Sequence, residues 1–260
     1  MKKYFDVLQS PYTGKSLFFV VKDGIEGFED KDGSFFPIEN GYINFLKGRT
    51  ITDLNKKYQG FYDKVGKIAG IFEKISSLFY DFKKIRGEQL ENVCVKSGDK
   101  VLEVSIGTGW NISLFTKKAH YFGIDISSGM LKRCVKNKKR FGLNLDLFLG
   151  EAEFLPFKNE SFDVVFHVGG INFFNDRAKA IEEMIRVAKS GTKIVIIDET
   201  EKFVEGWYQK LPFIKKYFKS EDIDKSRTKP PVEFVPKNTK DVKVEIIDDG
   251  QMYRLSFIKA

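Results

Sequence analysis

Apolar runs that alternate with helical patterns occupy the second half of the chain and limit what it can fold into. The runs predict strands at residues 100–104, 120–124, 143–149, 162–168 and 193–198. The patterns between them predict helices near residues 110–118, 128–140 and 176–189. Nearly continuous apolar strands joined through helices are typical of a parallel sheet that is covered on both faces, so the predicted fold class is α/β.

The end of the chain departs from this alternation. Two strand-like patterns at residues 242–247 and 252–258 flank the turn sequence Asp248-Asp249-Gly250. Two strands with a tight turn between them form a hairpin. The sheet is therefore predicted to finish in an antiparallel pair.

A glycine turn directly follows the first predicted strand, in the sequence K-V-L-E-V-S-I-G-T-G-W-N. Gly107 and Gly109 permit a sharp turn and let backbone N–H groups approach a ligand, and a helix start after them would add its positive dipole end. The next strand ends in Asp125, and a carboxylate there can accept both hydroxyls of a ribose. A dinucleotide turn needs a third glycine where this chain has Ile112, which disfavours a nicotinamide-dependent dehydrogenase. A tight turn without a ligand is the alternative.

Four stretches in succession resemble the signatures of class I S-adenosylmethionine-dependent methyltransferases. They read V-L-E-V-S-I-G-T-G, G-I-D-I-S-S-G-M-L, G-E-A-E-F-L-P-F and S-F-D-V-V-F, within residues 98–200. The closest likeness is to methyltransferase type 11, the subgroup that includes ubiquinone and menaquinone biosynthesis methyltransferases. The resemblance implies a Rossmann-like, seven-stranded methyltransferase sheet, S-adenosylmethionine as cofactor and S-adenosylhomocysteine as product.

The resemblance also implies which residues bind the cofactor. Glu103 and the turn at residues 105–109 would lie under the methionine part, although Ser105 stands where glycine is commoner. Glu151, where the family more often has Asp, would contact the adenine edge. The complete predicted set is Tyr62, Arg86, Glu103, Ser105, Ile106, Gly107, Thr108, Gly109, Asn111, Asp125, Ile126, Met130, Glu151, Ala152, His167 and Gly169.

The chemistry of such a cofactor suits these residue types. The carboxylates of Glu103 and Asp125 complement an amine and a diol. Because the cofactor is already activated, the protein mainly has to orient and desolvate two partners, and good orientation alone can contribute roughly 7–11 kcal/mol.

Activation of the methyl acceptor is less well defined by the sequence. His167 is a candidate general base because its ordinary pKa lies near operating pH. The alternative is a histidine packed within a strand. Asn172, Phe173 and Phe174 could shape an acceptor pocket or simply begin the next helix.

Two residues that precede the glycine turn, Tyr62 and Arg86, each have a functional and a structural interpretation. Tyr62, with Tyr58, lies in K-Y-Q-G-F-Y-D, which resembles a stretch that closes over the cofactor in the same subgroup. The alternative is a helix face with ordinary aromatic residues. Arg86 could reach the cofactor carboxylate or be a surface charge.

The first 48 residues have a different sequence pattern, in which short strand-like runs are separated by turn signals. They resemble zinc-ribbon-like domains that are fused to, or partnered with, methyltransferases. The positions of the zinc-binding cysteines are taken by Ser10, Thr13, Glu29 and Asp32, so we predict a metal-free ribbon. Its role could be docking or plain stabilisation. The predicted units are residues 1–48, a helical lid at 49–97 and a cofactor domain at 98–260 with a cap-like insertion at about 201–240.

Charge and composition only weakly limit which class of molecule the protein can act on. The chain has 44 basic and 36 acidic residues, a balance of +8 that permits RNA, especially at the basic helix of residues 132–140. The basic residues are scattered, so we favour a small-molecule acceptor, which aromatic residues of the cap would cover: Phe203, Trp207, Tyr208, Phe213 and Tyr217. Two cysteines without a disulfide framework favour the cytoplasm, and no apolar run is long enough to insert into a membrane. An RNA methyltransferase and a non-catalytic cofactor-binding module are the alternatives.

Overall fold

The structure is a computed structural model, and it describes residues 5–76, 81–204, 206 and 228–260. Its eleven described strands form one sheet in the order β1-β2-β3-β4-β7-β6-β5-β8-β9-β11-β10. The strands are β1 Phe18–Lys22, β2 Ile25–Glu29, β3 Phe35–Glu39, β4 Tyr42–Asn44, β5 Lys100–Val104, β6 His120–Asp125, β7 Leu145–Leu149, β8 Val164–Val168, β9 Lys193–Glu199, β10 Lys240–Ile247 and β11 Met252–Ile258.

Seven of these strands, β5 to β11, form the predicted Rossmann-like sheet. β7, β6, β5, β8 and β9 are parallel. β11 runs antiparallel to both β9 and β10, so the predicted terminal hairpin is confirmed. Its turn uses left-handed backbone at Asp248, Asp249 and Gly250, which is common for Asp and Gly. The α/β fold class is confirmed.

Helices cover the sheet as the apolar patterns predict. They are α1 Asp53–Ser76, α2 Phe82–Gln89, α3 Ser128–Phe141 and α4 Arg177–Val187. α3 packs Leu131 and Cys134 on one face of the sheet, and α4 packs Ile181 and Met184 on the other. No helix within the described ranges is long and apolar enough to cross a membrane.

The predicted helix near residues 110–118 is wrong. Only a four-residue 3₁₀ helix, Asn111–Leu114, follows the glycine turn, and the chain is extended again at Phe115. The Ser113 hydroxyl donates to the Trp110 carbonyl at 2.6 Å, a local bond that competes with a helical ladder. The glycine turn therefore has no long helix dipole behind it.

The first four strands extend the main sheet rather than standing beside it. β4 pairs in parallel with β7 through Ile43 opposite Phe148 and Asn44 opposite Leu149. This short strand covers what would otherwise be an open sheet edge. The preceding segment also holds the loop after β7, because the Lys158 amide donates to the Val7 carbonyl at 2.8 Å.

Asp30 organises the turns around Thr13 and Asp32, two positions where the zinc-ribbon-like domains that this segment resembles have cysteines. It is buried, and its carboxylate accepts bonds from the Thr13 hydroxyl at 3.2 Å and from the Asp32 and Ser34 amides at 3.0 Å each. These bonds join the turn around Thr13 to the turn at residues 30–34. Across the described ranges, no cluster of three or more His, Cys, Asp or Glu side chains could hold a metal ion.

Candidate functional site

The candidate site lies at the carboxyl edge of four adjacent parallel strands. Glu103 is in β5 and Asp125 ends β6, while Glu151 follows β7 and Gly169 follows β8. Because these strands are neighbours in the order β7-β6-β5-β8, their ends meet along one crevice. Ligands of open α/β sheets bind at such an edge.

The glycine turn depends on left-handed backbone at three positions. Ser105, Gly107 and Gly109 have φ values of 58°, 56° and 72°. Gly109 is also required by space, because a Cβ there would lie 2.5 Å from the sulfur of Cys134. Ile106 is buried beneath the turn, and its amide donates to the Ile124 carbonyl at 3.0 Å. Backbone conformation, rather than a following helix, shapes this turn.

Asp125 is held by the backbone on both sides of its carboxylate. Oδ2 accepts from the Gly107 amide and Oδ1 from the Ser127 amide, each at 2.8 Å. Burial raises the pKa of Asp125 to about 6, against the lowering effect of these bonds. A carboxylate has about four acceptor positions, so these bonds do not exhaust its capacity to accept from a hydroxyl.

Glu103 is the buried carboxylate at the centre of the site. Its Oε1 accepts from the side-chain amide of Asn111 at 2.7 Å. Its Oε2 is buried without a hydrogen-bond partner in the described part of the chain. Burial raises the pKa of Glu103 to about 8, while Asn111 and the charge of Arg86 act in the opposite direction. An unsatisfied buried acid of this kind suits a cationic amine.

Tyr62 and Arg86 approach this edge from the helices that precede the sheet. Burial, together with the charges of Glu199 and Asp198, raises the pKa of Tyr62 well above its ordinary value, so its phenol stays protonated. Burial lowers the pKa of Arg86, and the charge of Glu103 opposes that effect. Both predicted residues are within electrostatic range of the carboxylates at the sheet edge.

The other predicted residues lie around the same crevice. Ile126 is half-buried next to Asp125, and Ala152 is buried in the loop after β7. Thr108 accepts a bond from Asn137 of α3 through its carbonyl at 3.0 Å. Met130 is in the first turn of α3, where its amide donates to the Ser127 hydroxyl at 3.1 Å. Ser105, Asp125, Ile126 and Ala152 line one small pocket, and the roles of the whole predicted set stay predictions.

His167 is fully engaged by the backbone. Its Nδ1 lies 3.0 Å from the Val104 carbonyl, and its Nε2 accepts from the Ile171 amide at 3.0 Å. Burial lowers the pKa of His167, which favours the neutral ring. With no free nitrogen to take a proton, the geometry favours the packed-histidine interpretation over the general base.

Two carboxylates that end β9, Asp198 and Glu199, are also near the site, although no sequence motif marked them. Asp198 is buried and accepts bonds from the amides of Gly170 at 3.2 Å and Asn172 at 3.1 Å. It thereby fixes the 3₁₀ turn Ile171–Phe173 beside the site, and this turn is separate from α4. The available signal was the sequence I-V-I-I-D-E-T, an apolar strand that ends in two acids.

An aromatic cluster borders the site between α1 and that 3₁₀ turn. The rings of Tyr58 and Phe173 are 4.3 Å apart between centroids. Phe61 is buried in the same cluster, with Tyr62 and Val65 packed against it. Phe203 is half-buried, and the other predicted cap residues, Trp207, Tyr208, Phe213 and Tyr217, lie outside the described residues.

The chain is similar in sequence to known methyltransferases. The family model described as a methyltransferase domain matches residues 102–196. A demethylmenaquinone methyltransferase of Listeria welshimeri is 34% identical over 160 residues, which cover 56% of this chain and 68% of the relative. One from Oceanobacillus iheyensis is 32% identical over 167 residues, or 62% of this chain and 67% of the relative.

A solved structure shares the fold at lower identity. The S-adenosylmethionine-dependent methyltransferase of Aquifex aeolicus is 20% identical, with a TM-score of 0.50, over 72% of this chain and 98% of its own. Fold and relatives together define an S-adenosylmethionine-dependent methyltransferase. The chain belongs to the class I S-adenosylmethionine-dependent methyltransferase family. Within that family it is of the ubiquinone and menaquinone methyltransferase type.

Proposed function

We propose that this chain transfers a methyl group from S-adenosylmethionine to a small, largely apolar acceptor of the quinol class. The observation that carries the proposal is the pair of buried carboxylates, Glu103 and Asp125, at the ends of adjacent central strands. Oε2 of Glu103, which has no hydrogen-bond partner among the described residues, would bind the cofactor amine, and the carboxylate of Asp125 would bind the ribose. Arg86 would bind the cofactor carboxylate.

Methyl transfer requires the protein mainly to position the cofactor and the acceptor against each other. When bound, the cofactor would supply an activated methyl group on a sulfonium; the electrons of the carbon–sulfur bond would leave with S-adenosylhomocysteine, and the proton displaced from the methylated acceptor would leave to solvent. The left-handed turn at Gly169 and Gly170 presents backbone beside the crevice without Cβ atoms. The protonated phenol of Tyr62 can donate a hydrogen bond to an acceptor oxygen, and closure by α1 would exclude water.

The acceptor class rests on two supports. The wall formed by Tyr58, Phe61 and Phe173 is aromatic, and flat apolar molecules pack well on such rings. The relatives from Listeria and Oceanobacillus are named as demethylmenaquinone methyltransferases. A soluble demethylmenaquinol with a short side chain is therefore the first acceptor to test.

The test is a methyl-transfer assay with labelled S-adenosylmethionine. Product is expected with the short-chain demethylmenaquinol and none with total RNA, and Phe173→Ala should raise the KM of the quinol more than it lowers kcat. Val242→Ala, at an exposed position on β10, is the matched control.

Two outcomes would contradict the proposal. Transfer to RNA alone would make RNA, rather than a quinol, the acceptor. S-adenosylmethionine binding without transfer to cell-extract components would favour a non-catalytic module.

A further inference from the structure

A polar stripe on α1 faces the loops from which the cofactor site is built. We use this name for Asn55, Gln59 and Asp63, which are spaced four residues apart. Side chains at that spacing lie one above another on a helix. The three residues contact the loops after β6 and β7. Asp125 is the last residue of β6, and Glu151 lies in the loop after β7.

Asp63 joins α1 to the first turn of α3. Its Oδ1 accepts from the Ser127 hydroxyl and from the Gly129 amide, each at 2.8 Å. A carboxylate at the N-terminus of a helix satisfies free amides and interacts favourably with the helix dipole. Ser127 also donates its amide to Asp125, so one short segment connects Asp63 to the candidate ribose ligand.

The other two members of the polar stripe contact the loops on the adenine side. The side-chain amide of Gln59 donates to the Ile126 carbonyl at 3.0 Å. That of Asn55 lies 2.9 Å from Oε1 of Glu151 and 3.2 Å from Oε1 of Glu153, so it bridges two carboxylates. Without the Asn55 amide, less partial positive charge would offset the repulsion between these two neighbouring carboxylates.

Two glycines let α1 approach this closely. A Cβ on Gly66 would lie 2.4 Å from the carbonyl carbon of Gly129, and a Cβ on Gly129 would lie 2.5 Å from the carbonyl oxygen of Asp63. These neighbours are backbone atoms, which cannot rotate away. The docked position of α1 therefore requires both glycines.

We propose that the polar stripe couples docking of α1 to cofactor binding, with Asn55, Gln59 and Asp63 as positioning residues. The inference rests on the proposed function, because the loops that α1 contacts are those assigned to ribose and adenine. A ligand that orders these loops stabilises the docked helix, and the docked helix must raise the affinity for that ligand by the same factor. Docking also brings Tyr58 and Tyr62 to the acceptor wall.

Hydrogen exchange of the α1 backbone amides, with and without S-adenosylhomocysteine, tests this coupling in the full-length protein. We expect the ligand to slow exchange in α1 about tenfold or more in the wild type. Asp63→Ala should abolish this slowing and weaken S-adenosylhomocysteine binding about tenfold, and Asp63→Asn, which keeps an acceptor oxygen, should recover part of both. Asp53→Ala, at an exposed acid in the first turn of the same helix, is the matched control.

A second variant separates docking from helix formation. Gly66→Ala raises helix propensity yet places a methyl group against Gly129, so it should abolish the slowing while α1 remains helical. If the wild type binds S-adenosylhomocysteine without any change in α1 exchange, or if Asp63→Ala behaves as the wild type, the coupling is wrong. If the wild type does not bind S-adenosylhomocysteine, the proposed function fails, and the coupling fails with it.

Discussion

At the scale of single residues, Glu103 makes the site sensitive to pH. Its pKa is raised from 4.5 to about 8 by burial, so the folded protein holds a proton that the unfolded chain releases. The free energy of unfolding should therefore fall as pH rises from about 4.5 to about 8. A cationic amine bound at Oε2 favours the carboxylate form, so binding should displace the proton.

This linkage predicts proton release when S-adenosylhomocysteine binds at pH 7. Titration calorimetry in buffers of different ionisation enthalpy should show about one proton released by the wild type. Glu103→Gln carries no titrating group and should release none beyond the contribution of Asp125, whose pKa of about 6 leaves it mostly ionised at pH 7. Equal release by both proteins would place the amine elsewhere.

The glycine turn allows a prediction that distinguishes strain from steric overlap. Gly107→Ala meets no atom within 4 Å and should cost only the left-handed backbone strain, about 1–2 kcal/mol. Gly109→Ala adds contact with Cys134 and should lower stability further. In the Gly109→Ala background, Cys134→Ala should restore part of the loss, as measured by urea unfolding. Equal costs for the two glycine variants would show that the overlap is relieved by other movements.

The residues of the site were predictable from the sequence to different extents. The glycine turn and Asp125 were found because their roles depend on local spacing after strands. Asn111 was expected at the site, but its bond to Glu103 required the 3₁₀ helix, which local pattern did not indicate. The two interpretations of His167 could not be separated from the sequence, because only the three-dimensional structure shows which backbone groups contact its ring.

At the scale of elements, hydrogen bonds to Asp30 hold together two turns that resemble those of zinc-ribbon-like domains. Burial alone would raise the pKa of Asp30, but the bonds from Ser34 and from its other donors outweigh burial and lower it. Stability from these bonds should be present at neutral pH and lost as pH falls below the usual range for Asp.

Asp30→Ala should therefore destabilise the protein by about 1–3 kcal/mol at pH 7, because it removes the acceptor of three partly buried hydrogen bonds. The difference from the wild type should shrink at acid pH, and chelators should not change the unfolding midpoint of either protein. Asp32→Ala, at an exposed acid in the same turn, is the control. A chelator-dependent midpoint would show that a metal still contributes.

Strands and long helices were predictable because their apolar periodicity is local. The strands β5 and β11 were predicted with their observed bounds, and α3 within one residue. The pairing of β4 with β7 was not predictable, because residues about a hundred positions apart meet there and no local pattern sets their register. The position of the polar stripe against the loops after β6 and β7 has the same non-local origin.

At the scale of the whole molecule, the shared sheet predicts that the chain unfolds in one step. Phe28 in β2, Phe36 in β3 and Phe45 directly after β4 are buried in the same core as Phe148 and Phe157. A common core and a continuous sheet should make the two parts cooperative. Calorimetry should therefore show one thermal transition, and a chain without residues 1–48 should aggregate through the exposed edge of β7. Two separate transitions would make the first 48 residues an independent unit.

The central claim is that the crevice between Glu103 and Asp125 binds the sulfonium cofactor and its product. We would titrate S-adenosylmethionine, S-adenosylhomocysteine and NAD into the wild type, Asp125→Ala and the control Asp241→Ala, which changes an exposed acid on β10. The account predicts micromolar binding of the first two ligands and none of NAD, with Asp125→Ala weakened by about 30-fold or more because charged hydrogen bonds to the ribose are lost. Unchanged binding by Asp125→Ala, or tighter binding of NAD, would contradict it.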